Sequence, residues 1–140
     1  MSQESSSSTP FPSLRRDVGM YPPRQDSVTA ARRHVAGMVA LWGQPGLAFD
    51  AGLVTSELVT NAIFHGTVRG RLVRVEVELR GDCVRVAVSD SRGERRPAVR
   101  EVGAEDRFGR GLLVVAGTSR AWGCEDRVVG KTVWAELALG

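Results

Sequence analysis

The feature that most constrains the fold is a run of alternating side chains followed by a turn. From Leu72 to Arg80, valine and leucine alternate with arginine and glutamate, and this period of two predicts a strand with one buried and one hydrated face. Gly81-Asp82 predicts a turn. A second strand follows, with inward residues at Val84, Val86 and Val88. We therefore expect an antiparallel hairpin.

Two segments upstream of the hairpin have helical spacing. The first is predicted to be capped by Asp26 or Ser27 and to end at Gly43. Its apolar positions, expected to face the core, are Val28, Ala31, Val35, Met38, Val39 and Trp42. The second helix is predicted to open at Asp50 and to stop at Gly66.

The second helix carries the stretch SELVTNAIFHG, residues 56 to 66. Glu57, Asn61 and His65 are spaced four apart, which places them on one face of an α-helix. The carboxylate can accept a proton or orient a nucleophile, and the carboxamide oxygen is a suitable ligand for Mg²⁺. The alternative is an ordinary amphipathic helix with a solvated polar face, and the stretch alone leaves both interpretations open.

Asp90 follows the inward valines of the second strand. If the alternation continues, its carboxylate faces the core and needs a hydrogen-bonding partner, because an unpaired buried charge is costly. A polar ligand edge, such as the amino group of a base, would serve. The alternative is that the strand has ended and Asp90 starts a turn with the residues up to Gly93.

The region after this strand has the composition of a long loop. Residues 91–108 are charged and lack periodicity, and loops of this length in a compact domain are often functional, for example as lids. Gly109-Arg110-Gly111 then precedes an apolar helix, where glycine allows close approach and a helix N-terminus attracts phosphate. Two further strands are predicted, at Ala121–Glu125 and Lys131–Leu139, and the register of the last one is open.

Length and composition favour a single globular domain in the cytoplasm. The chain has 140 residues, of which 42% are hydrophobic, and it shows no apolar run expected to cross a bilayer and no apolar signal segment. Residues 1–25 are rich in serine and proline and are predicted to be a disordered tail, in which Ser13–Met20 could form a short edge strand. The domain is then expected over residues 26–140.

Charge and cysteine content argue against several functions. The formal net charge is +3, but the arginines are scattered and often adjoin acids, so we expect neither nucleic-acid nor membrane binding. Cys83 and Cys124 lack metal-ligand spacing and are expected to be free thiols. His34 is predicted to lie on the surface.

Four motifs of the chain, taken in order, resemble those of the GHKL ATPase superfamily. They are ELVTNAIFHG, an Asp after a valine-rich strand, Gly-x-Gly before a helix, and GKTVW. Within that superfamily the chain is most similar to the small stand-alone ATP-binding domains of bacterial anti-sigma-factor serine kinases. The resemblance implies an α/β (α+β) two-layer sandwich, the Bergerat fold, in which helices cover one face of a mixed, largely antiparallel sheet. ATP would lie between the helices and the sheet, beneath a flexible lid.

The resemblance also implies roles for individual residues. Glu57 would be the general base or would orient the nucleophile, and Asn61 would coordinate Mg²⁺. Asp90 would accept a hydrogen bond from the adenine amino group. The other residues expected around ATP are Gly93, Gly109, Arg110, Gly111, Leu112 and Thr132.

The function implied is an ATP-binding serine/threonine kinase that phosphorylates a small antagonist protein and binds a sigma factor, with homodimerisation as a family trait. The lid departs from the family pattern, because Glu94 and Arg95 follow Gly93. An alternative is therefore a non-catalytic ATP-binding interaction module. A detached histidine-kinase catalytic domain is a weaker third interpretation, because the chain has no room for a dimerising phosphoacceptor helix pair.

Overall fold

The computed structural model describes residues 12–66, 71–90, 111–126 and 130–140. Within these ranges, five strands and three principal helices follow one another in the order β1, α1, α2, β2, β3, α3, β4, β5. Their bounds are β1 Ser13–Tyr21, α1 Gln25–Leu41, α2 Ala48–Asn61, β2 Val73–Arg80, β3 Cys83–Asp90, α3 111–118, β4 Ala121–Asp126 and β5 Lys131–Ala138. A 3₁₀ turn, Pro45–Leu47, precedes α2, and a π-helical turn, Ala62–Gly66, follows it.

The strands form one sheet in the order β1-β2-β3-β5-β4, and each neighbouring pair is antiparallel. The predicted α+β architecture and the β2–β3 hairpin are thus confirmed. The predicted edge strand is confirmed as well, since β1 pairs with β2 along its length. Because β1 belongs to the sheet, the domain begins before residue 26, and only residues 1–11 of the predicted tail lie outside the described part of the chain.

Helices α1 and α2 pack on each other and on one face of the sheet. Ala31, Val35 and Val39 of α1 are at most 1% exposed, as their spacing predicts. The predicted end of α1 is also confirmed: Gly43 has a φ of +89°, and its N–H donates to the carbonyl of Ala40. That left-handed conformation favours glycine and closes the helix.

The predicted start of α1 is wrong by a few residues. Arg24 is the N-cap and makes no side-chain cap. Ser27 cannot cap the helix, because its hydroxyl donates to the carbonyl of Pro22 at 2.7 Å from within the first turn. Helix α2 likewise begins before Asp50, directly after the 3₁₀ turn. A helix held by tertiary packing needs no cap residue at its first turn.

The sheet face opposite the helices is shielded from water by the long side chains of its own strands. Glu78 and Arg85 are each 7% exposed, so the prediction of a hydrated face on the first strand of the hairpin is wrong at Glu78. The Arg85 guanidinium lies 5.2 Å from the centre of the Trp134 ring, and the same indole covers Gly123, where a Cβ atom would come within 2.9 Å of it. Alkyl stems and an indole therefore exclude water here while the charged groups pair.

Helix α2 is the apolar centre of the molecule. The stretch Pro45–Phe64 is long and apolar enough to pass a length-and-composition test for a membrane span, although the sequence interpretation expected no such run. Half of it is buried inside the fold, and Val54 and Leu58 contribute to the core. Its apolar character is that of a core helix that packs against both α1 and the sheet.

Candidate functional site

The predicted polar face of α2 is only partly exposed. Glu57 is half-buried, and Asn61 is 6% exposed, which argues against the interpretation of an ordinary solvated face. The α-helix ends at Asn61, and the backbone continues as a π-helical turn through His65 to Gly66. The regular α-helical spacing that the prediction assumed therefore ends at Asn61, where the π-helical turn begins. Such turns are frequent at functional sites.

Gly111, the first residue of α3 that the structure describes, lies beside Glu57 and Asn61 of α2. A Cβ atom on Gly111 would lie 2.8 Å from Glu57 Oε1 and 3.7 Å from Asn61 Oδ1. Any side chain at this position would therefore displace the Glu57 carboxylate. We refer to Glu57, Asn61 and Gly111 as the carboxylate–amide cluster. The structure thus brings together three residues that lie up to fifty-four positions apart in the sequence.

One atom of this cluster has unused hydrogen-bonding capacity. Within the described part of the chain, Asn61 Nδ2 is buried and has no hydrogen-bond partner. Buried polar atoms of native proteins are nearly always paired with protein, water or ligand. The cluster therefore fits a polar ligand, and its amide and carboxylate oxygens are atoms that Mg²⁺ accepts.

A second polar pair lies where β3 and β5 meet. Lys131 Nζ donates to Asp90 Oδ2 at 2.8 Å, and the two side chains are 4% and 3% exposed. Asp90 and Lys131 are direct cross-strand partners. We call them the strand-end pair. Asp90 is thus the last residue of the strand and is turned inward, as the first interpretation of the sequence predicted, rather than the start of a turn.

Thr132 lies on the other face of the sheet. Its hydroxyl is 2.7 Å from that of Ser89, its cross-strand partner. Because successive residues of a strand face opposite sides, Lys131, and not Thr132, shares the face of Asp90. Sequence reasoning missed Lys131, since the register of β5 was open. The one available signal was that Lys131 is the only lysine in the chain.

The remaining predicted residues are placed as follows. Leu112 is half-buried in the first turn of α3 that the structure describes. Gly93, Gly109 and Arg110 lie outside the described residues, as does the predicted lid over residues 91–108. The roles assigned to these residues stay predictions.

Other polar groups lie away from the cluster. His34 Nε2 is 2.7 Å from Asp17 Oδ2, and its side chain is 45% exposed, in agreement with a surface histidine. Cys83 and Cys124 are not joined in a disulfide, and burial, reinforced by Glu136 and Asp82, raises the pKa of Cys83 to about 12. This thiol therefore stays protonated and is a core group rather than a nucleophile.

A groove lies at the end of the sheet away from Asp90. It is lined by Leu14, Arg15, Leu41, Trp42, Gly43 and Leu79. The groove contains neither Glu57 nor Asn61 nor Asp90, so it is separate from both polar groups described above.

The layout of sheet, helices and polar groups defines an α+β domain whose helical side carries two groups of partly or fully buried polar side chains. Comparison with protein families then gives the family: the model for the histidine kinase-like ATPase domain matches residues 21–137, and the chain belongs to this family. The predicted membership of the GHKL superfamily is thereby confirmed. Membership indicates that the chain binds ATP. A comparison with curated proteins found no match.

Proposed function

We propose that the chain is a regulatory protein kinase of the anti-sigma-factor type. It would transfer the γ-phosphoryl group of ATP to a serine or threonine of a small antagonist protein. It would also hold a sigma factor by protein–protein contact in the bacterial cytoplasm, with a homodimer as its working state. The supporting observation is the carboxylate–amide cluster, in which a buried amide nitrogen lacks a partner among the described residues.

The chemistry proposed for the cluster is limited to positioning and one proton transfer. The serine oxygen attacks the γ-phosphorus, its proton passes to the Glu57 carboxylate, and the bond to ADP breaks. Glu57 is half-buried, so it can meet an incoming hydroxyl while its Oε1 stays against Gly111. Phosphoryl transfer needs mainly such orientation and charge stabilisation, with little covalent participation by the protein.

Asn61 is the residue proposed to hold Mg²⁺. When bound, the ion would neutralise charge on the phosphates. In the parts of the chain that the structure describes, no three His, Cys, Asp or Glu side chains gather to form a metal site. The remaining ligands are therefore expected to be phosphate oxygens and water, which is the usual way that Mg²⁺ is bound beside a nucleotide.

The first test is calorimetric titration of the folded protein with ATP and Mg²⁺. Wild type is expected to show saturable binding, and N61A to bind at least about tenfold more weakly, since a lost charge-assisted contact is worth about 1.5–3 kcal/mol. The matched control is T60A, one residue earlier, whose hydroxyl bonds the carbonyl of Ser56 within α2. No saturable binding by folded wild type would refute the proposal.

The second test separates binding from transfer. E57A and E57Q are expected to bind ATP nearly as wild type does and to lose transfer of labelled γ-phosphate to a serine-bearing acceptor. Equal transfer by either variant would refute the role given to Glu57. Normal ATP binding by wild type with no transfer to its cognate partner would instead favour the non-catalytic interaction module.

A further inference from the structure

The strand-end pair contains a cation that the proposed adenine contact does not require. A carboxylate on Asp90 is sufficient to accept a hydrogen bond from an amino group. Lys131 adds an ammonium ion 2.8 Å from Asp90 Oδ2, and the two side chains are almost fully buried. The pair is part of the sheet, because the two residues face each other across the β3–β5 ladder.

The two members of the pair have opposite hydrogen-bonding properties. An ionised carboxylate only accepts, whereas an ammonium ion only donates and has three N–H groups, one of which is used on Asp90. A ligand atom hydrogen-bonded to Asp90 Oδ2 at about 2.9 Å lies within about 6 Å of Lys131 Nζ. A base hydrogen-bonded to Asp90 would therefore lie beside a buried ammonium group, and a neighbouring atom of its ring would be the one to reach that donor.

This combination changes which purines the site can accept. Adenine has an amino donor at position 6 beside a ring acceptor, while hypoxanthine and guanine have an oxo acceptor at position 6. A lone carboxylate would repel the oxo group, because two acceptors would face each other without water. An adjacent ammonium ion removes this penalty by donating to the oxo group, and the carboxylate can then accept from the neighbouring ring N–H.

We propose that Lys131 makes the base site tolerant of 6-oxopurines, so that the chain binds inosine and guanosine triphosphates as well as ATP. The inference rests on the proposed function, since it assumes that the base of the nucleotide reaches Asp90. It assigns to Lys131 the role of a selectivity determinant.

The test compares the affinities of ATP and inosine triphosphate (ITP), two nucleotides whose bases differ at position 6 and the adjoining ring nitrogen. Titrations use the full chain with Mg²⁺, as wild type, K131M and K131R. Wild type is expected to bind the two nucleotides with dissociation constants within about tenfold of each other. K131M is expected to raise the ratio of the dissociation constant for ITP to that for ATP, here called the ITP-to-ATP ratio, at least about tenfold. K131R keeps the cation and is expected to keep the wild-type ratio.

The control R120M removes one positive charge at a distance from the pair. Arg120 bonds Asp82 and Glu136 on the other face of the sheet, so its removal is expected to leave the ratio unchanged. An ITP-to-ATP ratio that K131M does not change would overturn the proposal. So would tighter ATP binding by K131M at a constant ratio, because Lys131 would then compete with the base for Asp90.

The wild-type ratio is decisive even if K131M does not fold. A wild type that binds ATP but rejects ITP by more than about a hundredfold overturns the selectivity role and leaves the proposed function intact. A folded wild type that binds neither nucleotide overturns the proposed function itself. The two failures are therefore distinguishable in a single titration series.

Discussion

At the scale of single residues, Gly111 is the described glycine at which an added Cβ atom would come nearest to another side chain, that of Glu57. We expect G111A to slow phosphoryl transfer at least about tenfold while ATP binding stays near that of wild type, because its methyl group would meet Glu57 Oε1 at 2.8 Å and a displaced carboxylate is no longer aligned to take the proton. The cost to folding should be small, as one side chain can rotate away. A transfer assay with labelled γ-phosphate and thermal unfolding measure the two effects separately.

Gly117 provides a matched control in the same helix. A Cβ atom there would meet nothing within 4 Å, so G117A should transfer phosphate normally and be more stable by about 0.5–1 kcal/mol, since alanine is the better helix former. Equal transfer rates for G111A and G117A would show that Gly111 is not required for its closeness to Glu57.

The residue scale is also where prediction from sequence fails most clearly. For Asp90 the alternation of the preceding valines predicted an inward position, and a turn starting at Asp90 was the open alternative that the pairing with Lys131 excludes. Thr132 and Lys131 could not be told apart, because β5 is apolar on both faces and only its pairing with β3 decides which residue faces Asp90. The closeness of Gly111 to Glu57 could likewise not be predicted from sequence, since it depends on how α3 packs against α2.

At the scale of elements, α2 combines core and site, and its core side can be tested alone. Leu58 is 1% exposed, so L58A should lower the free energy of unfolding by about 2–5 kcal/mol through lost burial and a cavity. Leu41, at the end of α1, is 77% exposed, and L41A should change the free energy of unfolding by less than about 0.5 kcal/mol. Urea denaturation of both variants makes the comparison, and similar losses would contradict the assigned packing.

Elements were predicted best where a local pattern determines them. The β2–β3 hairpin follows from alternation and a turn, and the end of α1 follows from Gly43, whose positive φ few other residues adopt. The start of α1 was placed wrongly because Ser27 uses its hydroxyl on Pro22. The closed outer face was missed because the pairing of Arg85 with Trp134 joins two strands that are distant in sequence.

At the scale of the whole molecule, acid stability depends on carboxylates paired with arginine across the outer face of the sheet. Burial by itself raises the pKa of Glu76, but hydrogen bonds from Arg16 and Arg74 outweigh burial and hold that pKa below its usual range. A hydrogen bond from Arg120 likewise lowers the pKa of Asp82. Carboxyls with depressed pKa values stabilise the fold above their unfolded pKa of about 4, and this stabilisation is lost as pH falls through the folded value.

We therefore expect E76Q to be less stable than wild type at pH 7 by up to about 1 kcal/mol. The difference should shrink below about pH 4, where the wild-type carboxyl also becomes protonated. Urea denaturation at pH 7 and pH 3 measures both differences. E125Q, which changes an exposed acid on β4, serves as the control. A difference between wild type and E76Q that is the same at both pH values would exclude an electrostatic origin.

The pairing of β1 with β2 has a consequence for biosynthesis. Arg16 and its partner Glu76 are 60 positions apart in the chain, so the first strand leaves the ribosome well before the strand that it must join. At about 5–20 residues per second, the wait is about 3–12 s. Helices α1 and α2 lie wholly between these strands and can pack on each other during that interval. Strand β1 is therefore expected to pair late although it is synthesised first. Its partner β2 emerges only after α1 and α2 can already have packed together.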